Sequence, residues 1–356
     1  MCDFSQYGAP SEEWLAIEAT QPAAGPDPGI AELRRITNAG RDKISQTEMV
    51  DMLDQIDMQD YSIPTRDNQH LEARTYRPSA SESRHDPLPT YMHLHGGGFL
   101  FGTLQSEDAI CSRIALTTGV MVLNVNYRHT PEHVYPTAWH DGEDALIWLC
   151  SNADSIGGDL HRLVLGGVSA GAYITAALVQ TVLRGELAPE VPETLKILGQ
   201  VLMIPCLVFS ACYDSQLAQL KDLSVSSYAQ ASNAPILNME RKTLFNSLLQ
   251  VTAPDPNDRR LNPANATAEE VKRLPPTTLG IAGNDPLRDE GLLYGKKLSK
   301  HGVPTNINVF KGLPHGFRRY GKLLSASAHW DNTVNEGIRW ALSHPAATNE
   351  FSIRVF

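Results

Sequence analysis

The chain has 356 residues, 42% of them hydrophobic, and a formal net charge of -10. This length allows a large buried core in one big domain or in two of average size. The acidic balance and the lack of clustered Lys and Arg exclude nucleic acid and anionic membranes as predicted partners, because both bind basic surfaces.

The N-terminal sequence lacks the basic start and apolar core of a secretion signal, and no stretch approaches the roughly 20 apolar residues of a membrane span. The five cysteines have scattered spacings that are typical of free thiols, and no Cys/His pattern indicates a metal site. We therefore expect a soluble, cytoplasmic protein that binds no metal.

Residues 1–60 predict a helical segment, with capping patterns such as Ser11-Glu12-Glu13 ahead of Trp14. Two interpretations stay open at this point. The segment either packs against the rest of the protein or forms part of a cap that roofs the active site.

Apolar strands and amphipathic helices alternate over residues 65–345, which predicts a mostly parallel sheet with helices on both faces. The alternation lapses at about 205–263, where amphipathic helices and a Pro/Asn/Asp-rich stretch replace it. An insertion at the carboxyl edge of the sheet, where α/β proteins bind ligands, predicts a helical cap.

The predicted strand 88–94 runs directly into His95-Gly96-Gly97-Gly98-Phe99. Backbone without side chains lets the amides of Gly97 and Gly98 approach a substrate oxygen, so we expect them in an oxyanion hole. We expect His95 to anchor this loop by a hydrogen bond. The alternative is a flexible loop, which rarely separates a buried strand from an apolar Phe-Leu-Phe segment.

The apolar stretch 163–168 ends at Gly167-Val168-Ser169-Ala170-Gly171 and opens into a helical pattern. A serine at the tip of so tight a turn needs neighbours with almost no side chain two places away, and Gly167 and Gly171 provide this. The turn exposes the Ser169 hydroxyl and aims the Ala170 amide at the same point, beside a helix N-terminus. Because Gly-x-Ser-x-Gly also arises by chance, the motif needs support from the rest of the chain.

Asp285 follows the predicted strand 277–283, and His315 lies on the loop after the predicted strand 304–310. A serine hydroxyl is a poor nucleophile until an imidazole removes its proton, and the imidazole needs a carboxylate to fix its tautomer. We expect His315 to be this base and Asp285 its orienting carboxylate. Alone, His315 could be a surface histidine and Asp285 a helix cap, but the order Ser, Asp, His is that of α/β-hydrolases. Asp289 and Glu290 are expected to complement the N-terminus of the next helix.

Taken in order, these motifs resemble the hormone-sensitive lipase family of α/β-hydrolases, which includes carboxylesterases and arylacetamide deacetylases. The resemblance covers about residues 65–345 and includes Asn-Tyr-Arg-His-Thr-Pro-Glu at 126–132, similar to the family's Asp-Tyr-Arg-Leu-Ala-Pro-Glu. It implies a cofactor-free serine hydrolase with a cap built from the N-terminus and the segment after the sixth strand. Val168 and Ala172 depart from the family pattern, which usually has Asp or Thr before the nucleophile and Gly at the later position.

The predicted function is hydrolysis of carboxylic esters with short to medium acyl chains through an acyl-enzyme. We expect an apolar substrate pocket, whose predicted lining residues are Phe99, Leu207, Val208, Phe209 and Tyr213. Two alternatives remain: a non-hydrolytic enzyme with the same site (a cyclase, dehydratase or acyl-transfer enzyme), and a non-catalytic receptor such as the related gibberellin receptors, which lack the triad histidine. The expected partner is a small-molecule ester, and a homodimer is possible.

Overall fold

In a computed structural model, the described residues are 1–22, 28–79, 86–187, 189–192 and 195–356. The predicted segments 1–60 and 65–345 also include residues 23–27, 80–85, 188 and 193–194, which lie outside the described residues. Nine strands form one sheet within it: β1 Ile56–Pro64, β2 His70–Pro78, β3 Leu88–Leu94, β4 Met121–Asn126, β5 Gly158–Val168, β6 Ile197–Met203, β7 Thr277–Asn284, β8 Thr305–Pro314 and β9 Ile353–Val355.

The α-helices of the described residues lie before, between and after these strands. They are α1 Glu12–Glu18, α2 Ile30–Met49, α3 Leu104–Thr118, α4 Thr137–Ile156, α5 Ala170–Leu183, α6 Asp214–Leu217, α7 Ser227–Gln230, α8 Met239–Leu248, α9 Ala268–Val271, α10 Arg288–Lys300 and α11 Ala326–Leu342.

The strand order across the sheet is β1-β2-β4-β3-β5-β6-β7-β8-β9. β2 pairs antiparallel with both of its neighbours, whereas all the other neighbouring strands pair in parallel. Buried side chains of α4, α5 and α10 pack on one face of the sheet, and those of α3 and α11 pack on the other. The predicted fold class, a mostly parallel sheet between two helical layers, is confirmed.

The sheet is larger at both edges than the sequence predicted. β1 begins at Ile56, inside the segment 1–60 that was expected to be helical, and β9 lies beyond residue 345. Both are edge strands with mostly exposed or half-buried side chains. Because an edge strand with few buried side chains does not require a long run of apolar residues, the sequences of β1 and β9 do not show a clear strand pattern.

The insertion between β6 and β7 holds three short helices, α6, α7 and α8, with the brief α9 after them. The observed α8, Met239–Leu248, is one of the helices expected in the stretch at about 205–263. At the N-terminus, α2 packs against α3.

Candidate active site

Ser169 occupies the sharp turn between β5 and α5. Its backbone has φ 53° and ψ -113°, a strained conformation for a residue with a side chain. The Ser169 amide donates a hydrogen bond to the Met203 carbonyl at the end of the neighbouring strand β6 (2.8 Å). A Cβ on Gly167 would overlap the backbone of Gly171, so the turn can close only because position 167 is glycine.

Asp285 and His315 come from the next strands of the same parallel sheet. Asp285 follows β7 directly and His315 follows β8 directly, so both lie at the carboxyl edge where Ser169 lies. His315 Nε2 is 2.9 Å from Ser169 Oγ, and His315 Nδ1 is 2.7 Å from Asp285 Oδ2. Asp285 is 1% exposed, and its Oδ1 accepts a hydrogen bond from the Leu287 amide (2.9 Å).

The three side chains thus form an unbroken hydrogen-bonded chain from carboxylate to imidazole to hydroxyl. With Nδ1–H donating to Asp285, Nε2 is left as the acceptor for the Ser169 proton. The hydrogen bond from the Leu287 amide holds the other oxygen of the Asp285 carboxylate. This geometry can activate a hydroxyl nucleophile and return its proton to a leaving group.

The glycine loop after β3 faces the same point. Gly97 has φ 143° and Gly98 has φ 61°, both in the region that favours glycine. A Cβ on Gly97 would overlap the Phe101 carbonyl oxygen, and one on Gly98 would overlap the Phe245 ring. Within the described residues, neither glycine amide donates a hydrogen bond to a protein acceptor.

The Ala170 amide adds a third donor, because the first amides of a helix have no intrahelical acceptor. Ala170 is the first residue of α5, directly after Ser169. The structure therefore brings the predicted donors, Gly97, Gly98 and Ala170, to the neighbourhood of the serine. Backbone amides held in this way can stabilise negative charge on a substrate oxygen.

Three side chains hold the glycine loop in place. His95 is fully buried, its Nδ1 is 3.1 Å from the Gly96 carbonyl oxygen as expected, and burial lowers its pKa to about 4. Tyr127 stacks on the His95 ring and donates its O–H to the His95 carbonyl (2.7 Å). Arg41 of α2 donates from Nη1 to the Gly96 carbonyl (3.0 Å). A neutral histidine, a tyrosine and an arginine thus fix two successive carbonyls of the loop.

The segment 126–132 has a structural role beside this loop. The Arg128 guanidinium forms two-pronged contacts with the buried Asp141 and pairs with Asp67 (2.6 Å). The Thr130 amide and hydroxyl both donate to the Phe99 carbonyl. The motif that suggested the family therefore supports the backbone around the glycines.

A cavity of about 230 Å³ opens at Ser169 and His315. Its wall includes Gly97 and Gly98 and apolar side chains from several parts of the chain. These apolar residues include Ile44 of α2, Ile110 of α3, Ile204 after β6, and Ile236, Leu237 and Phe245 of the cap insertion. Helices α2 and α8 therefore both contribute to the wall of the site.

The five side chains expected to line the substrate pocket do not line this cavity. Phe99 stacks on Trp139, Tyr213 stacks on Tyr228, and all five are buried in the main core. The residues in question are Phe99, Leu207, Val208, Phe209 and Tyr213. The reason is that the loop after β6 folds inward, where the amide of Leu207 donates to Glu290 and the amide of Phe209 donates to Asn262.

Most of the side chains that do line the cavity had no recognisable signal in the sequence. Thr37, Arg41, Ser45 and Glu48 reach it from α2, and Arg318 and Arg319 reach it from the turn after His315. Only the last pair had a local signal, because it follows His315 by three and four residues.

The two departures from the family pattern have different surroundings. Val168 lines the cavity, and a Cβ on Gly96 would lie 3.3 Å from Val168 Cγ1, so this valine packs against the glycine loop. Ala172 is fully buried in the core cluster on the α5 side of the sheet.

No group of three or more potential metal ligands occurs among the described residues. Within the same residues, no helix combines the length and apolar character needed to cross a bilayer. The five cysteines are free.

The sequence matches the alpha/beta hydrolase fold family over residues 91–319. Esterase LipI of Mycobacterium tuberculosis (strain ATCC 25618 / H37Rv) is 32% identical over 244 residues, which is 68% of this chain and 70% of LipI. Among solved structures, a vibralactone cyclase superposes with a TM-score of 0.83 at 25% identity, covering 95% of this chain and 96% of the cyclase. EstE1, a thermophilic carboxylesterase from a metagenomic library, superposes with a TM-score of 0.73 at 28% identity, covering 88% of this chain and 98% of EstE1.

These relatives support hydrolase activity and, more narrowly, ester hydrolysis. The resemblance inferred from the sequence motifs is confirmed by the family match, which spans the glycine loop, the serine turn, Asp285 and His315. The chain belongs to the hormone-sensitive lipase and carboxylesterase family of α/β-hydrolases.

Proposed function

We propose that this protein hydrolyses carboxylic esters with Ser169 as nucleophile, His315 as general base and acid, and Asp285 as the carboxylate that orients His315. One observation supports this above all others: Ser169 Oγ, the His315 ring and the Asp285 carboxylate form a continuous chain with separations of 2.9 and 2.7 Å. The amides of Gly97, Gly98 and Ala170 would hold the oxyanion.

In the first half of the reaction, Ser169 Oγ bonds to the acyl carbon while its proton passes to His315 Nε2. The carbonyl oxygen becomes an oxyanion between the loop amides. When the carbon–oxygen bond to the alcohol breaks, the same proton moves from Nε2 to the departing oxygen. The second half repeats these steps with water as nucleophile, and Ser169 regains its proton as the carboxylic acid leaves.

The apolar residues of the cavity and its volume of about 230 Å³ favour short to medium acyl chains. A long chain would require the space to extend beyond the described wall. We therefore expect activity to rise and then fall along a series of increasing acyl length.

The first experiment measures p-nitrophenol release from esters of acetate to long-chain acids, using the wild type and Ser169→Ala. We expect turnover of the shorter esters by the wild type and none above background by Ser169→Ala. A burst of product equal to the enzyme concentration, with a matching acyl mass on intact protein, would identify the covalent step. Equal activity of the two proteins would overturn the assignment of Ser169.

A second candidate is an acyl transfer that closes a ring, in which a hydroxyl of the bound acyl group attacks the acyl-enzyme in place of water. The observation in its favour is the similarity to a vibralactone cyclase over 95% of this chain. Mass analysis of products from a hydroxyacyl ester separates the two: a free acid indicates hydrolysis, and a lactone, lighter by one water, indicates ring closure. The receptor alternative predicts ligand binding by wild type and Ser169→Ala with no turnover of any ester.

A further inference from the structure

Four arginines line the cavity that contains Ser169: Arg41, Arg241, Arg318 and Arg319. A purely apolar ester needs no such concentration of positive charge.

Two of the four arginines have carboxylate partners. Arg41 Nη2 lies 2.7 Å from Glu107, and Arg318 Nε lies 2.7 Å from Asp331 with Glu48 at 3.3 Å. The pKa of Glu107 lies well below its usual range, because hydrogen bonding from His93 and the charge of Arg41 outweigh the effect of burial. Arg41 and Arg318 are therefore already paired with carboxylates.

Arg241 and Arg319 have no such partner in the part of the chain that the structure describes. Arg241 Nη1 donates to the Ile236 carbonyl (3.0 Å), and Arg319 Nε donates to the Gly316 carbonyl (3.3 Å). Across residues 1–22, 28–79, 86–187, 189–192 and 195–356, no carboxylate oxygen lies within 4.0 Å of either guanidinium. Each guanidinium keeps several N–H donors unused, since arginine has five.

The charges of Arg241 and Arg319 also act on each other. Arg319 reaches solvent, yet the protein packed around it lowers its pKa, and the charges of Arg41 and Arg241 lower it further. Like charges that share a cavity wall repel, and the attraction of both to an anion bound between them offsets this repulsion. The unneutralised pair is thus complementary to a negatively charged ligand.

The pair lies beside the catalytic histidine. Arg319 folds over Gly316, the residue after His315, so that a Cβ on Gly316 would lie 3.4 Å from Arg319 Nη2 and 3.9 Å from Ile236 Cγ2. Arg241 is tied to the same Ile236 through its carbonyl. An anion held by both guanidiniums would therefore belong to a molecule that also reaches Ser169.

We propose that the preferred substrates are esters that carry a carboxylate, which Arg241 and Arg319 bind. This inference rests on the proposed ester hydrolysis and names its substrate class. The carboxylate can be on the acyl part or on the alcohol part, and the pair of arginines fits either source.

The test compares each acidic ester with a neutral ester of the same size. For the acyl part, the pair is monomethyl adipate and its primary amide, methyl 6-amino-6-oxohexanoate. For the alcohol part, the pair is 4-acetoxybutanoate and 4-acetoxybutanamide. We expect kcat/KM to favour the carboxylate by about tenfold or more in one pair, mainly through KM, because hydrogen bonds to charged groups are stronger than neutral ones.

In Arg241→Gln and Arg319→Gln, the ratio of kcat/KM for the carboxylate-bearing ester to kcat/KM for the amide-bearing ester should fall toward one. The amide-bearing ester serves as the reference within each variant. Arg35→Gln is the matched control, because Arg35 is exposed on α2 and pairs with Glu32 (2.7 Å). The wild-type ratio should also fall as salt concentration rises. This last measurement needs no variant, so it tests the proposal even where a substitution disturbs folding.

The outcomes separate the two proposals. Suppose that the amide-bearing esters are hydrolysed in a Ser169-dependent way. If neither carboxylate-bearing ester is then preferred over its amide, or if the preference survives both arginine substitutions, the proposed substrate class is wrong and ester hydrolysis stands. If no ester is hydrolysed, ester hydrolysis fails. Binding of adipate over adipamide to Ser169→Ala, measured by thermal shift, then still decides whether the arginine pair recognises a carboxylate.

Discussion

The carbonyl oxygen of Leu94, at the end of β3, fills the space that a Cβ on Gly171 would need. The obstacle is backbone of a central strand, so it cannot move aside as a flexible side chain would. We expect Gly171→Ala to displace the serine turn, which lowers both the melting temperature and the rate of ester hydrolysis; overpacking of this kind costs about 1–3 kcal/mol or more.

Gly185→Ala is the control for the substitution at Gly171. Gly185 has φ 73°, and no atom of the described residues lies within 4 Å of a Cβ placed there, so the backbone conformation is what opposes the change. We expect a cost of about 1 kcal/mol in unfolding free energy and no change in kcat. A Gly171→Ala protein with wild-type melting temperature and kcat would contradict the role assigned to this close approach.

The carboxylate of Asp285 should be needed for catalysis and not for folding. Asp285→Asn keeps the shape of the side chain but removes its charge. That charge favours the Nδ1–H tautomer of His315, whose Nδ1 lies 2.7 Å from Asp285 Oδ2. We expect kcat to fall by about 10⁴ with little change in KM. Asp54→Asn, at an exposed position, serves as the control. Stopped assays with p-nitrophenyl acetate would check both, and a kcat for Asp285→Asn within tenfold of wild type would rule out the orienting role.

The site motifs were predictable because each one is local. The Gly167–Gly171 turn, the glycine run and the residues after β7 and β8 owe their positions to strand ends. Parallel strands bring their carboxyl ends to one edge of a sheet, so sequence order alone brings Ser169 and His315 together.

The cavity wall was not predictable, because it depends on how separate segments fold against each other. Leu207 is as apolar as Ile204, yet the chain direction changes between them, so that only Ile204 lines the cavity. The arginines of the wall come from three separate segments, α2, α8 and the turn after His315, and have no common pattern. Edge strand β1 was missed because its exposed face is polar and gives no apolar alternation.

Glu290 should make stability depend on pH. Its side chain is fully buried, with one oxygen accepting from the Leu207 amide (3.3 Å), and burial raises its pKa from 4.5 to about 8 despite the nearby charge of Lys242. Between pH 4.5 and 8 the unfolded chain has released this proton while the folded protein holds it. The free energy of unfolding should therefore decrease as pH rises through this window.

Glu290→Gln removes this contribution, so the difference in stability between the variant and wild type should shift in favour of the variant from pH 5 to pH 9. Glu350→Gln, at an exposed position, should show no such trend. Urea unfolding at several pH values measures both differences. A constant difference for Glu290→Gln across this range would mean that the folded protein ionises Glu290 at an ordinary pKa.

The hydroxyl of Tyr127 should help to hold the glycine loop after β3 in place. It donates to the His95 carbonyl (2.7 Å) in a fully buried setting, while the ring stacks on His95 with centroids 4.3 Å apart. Tyr127→Phe keeps the stacked ring and removes the donor to this buried carbonyl, which costs about 1–3 kcal/mol of unfolding free energy. Because Gly96, the residue after His95, begins the glycine run, we also expect kcat to fall by a larger factor than KM changes.

Tyr61→Phe is the matched control for the hydroxyl of Tyr127. Tyr61 lies half-buried in β1 against Trp148, and its hydroxyl makes no hydrogen bond to the described part of the protein. Loss of this second hydroxyl should leave the melting temperature and kcat near their wild-type values. If the two variants behave alike, the support of the glycine loop comes from the His95 and Arg41 contacts to the Gly96 carbonyl and not from Tyr127.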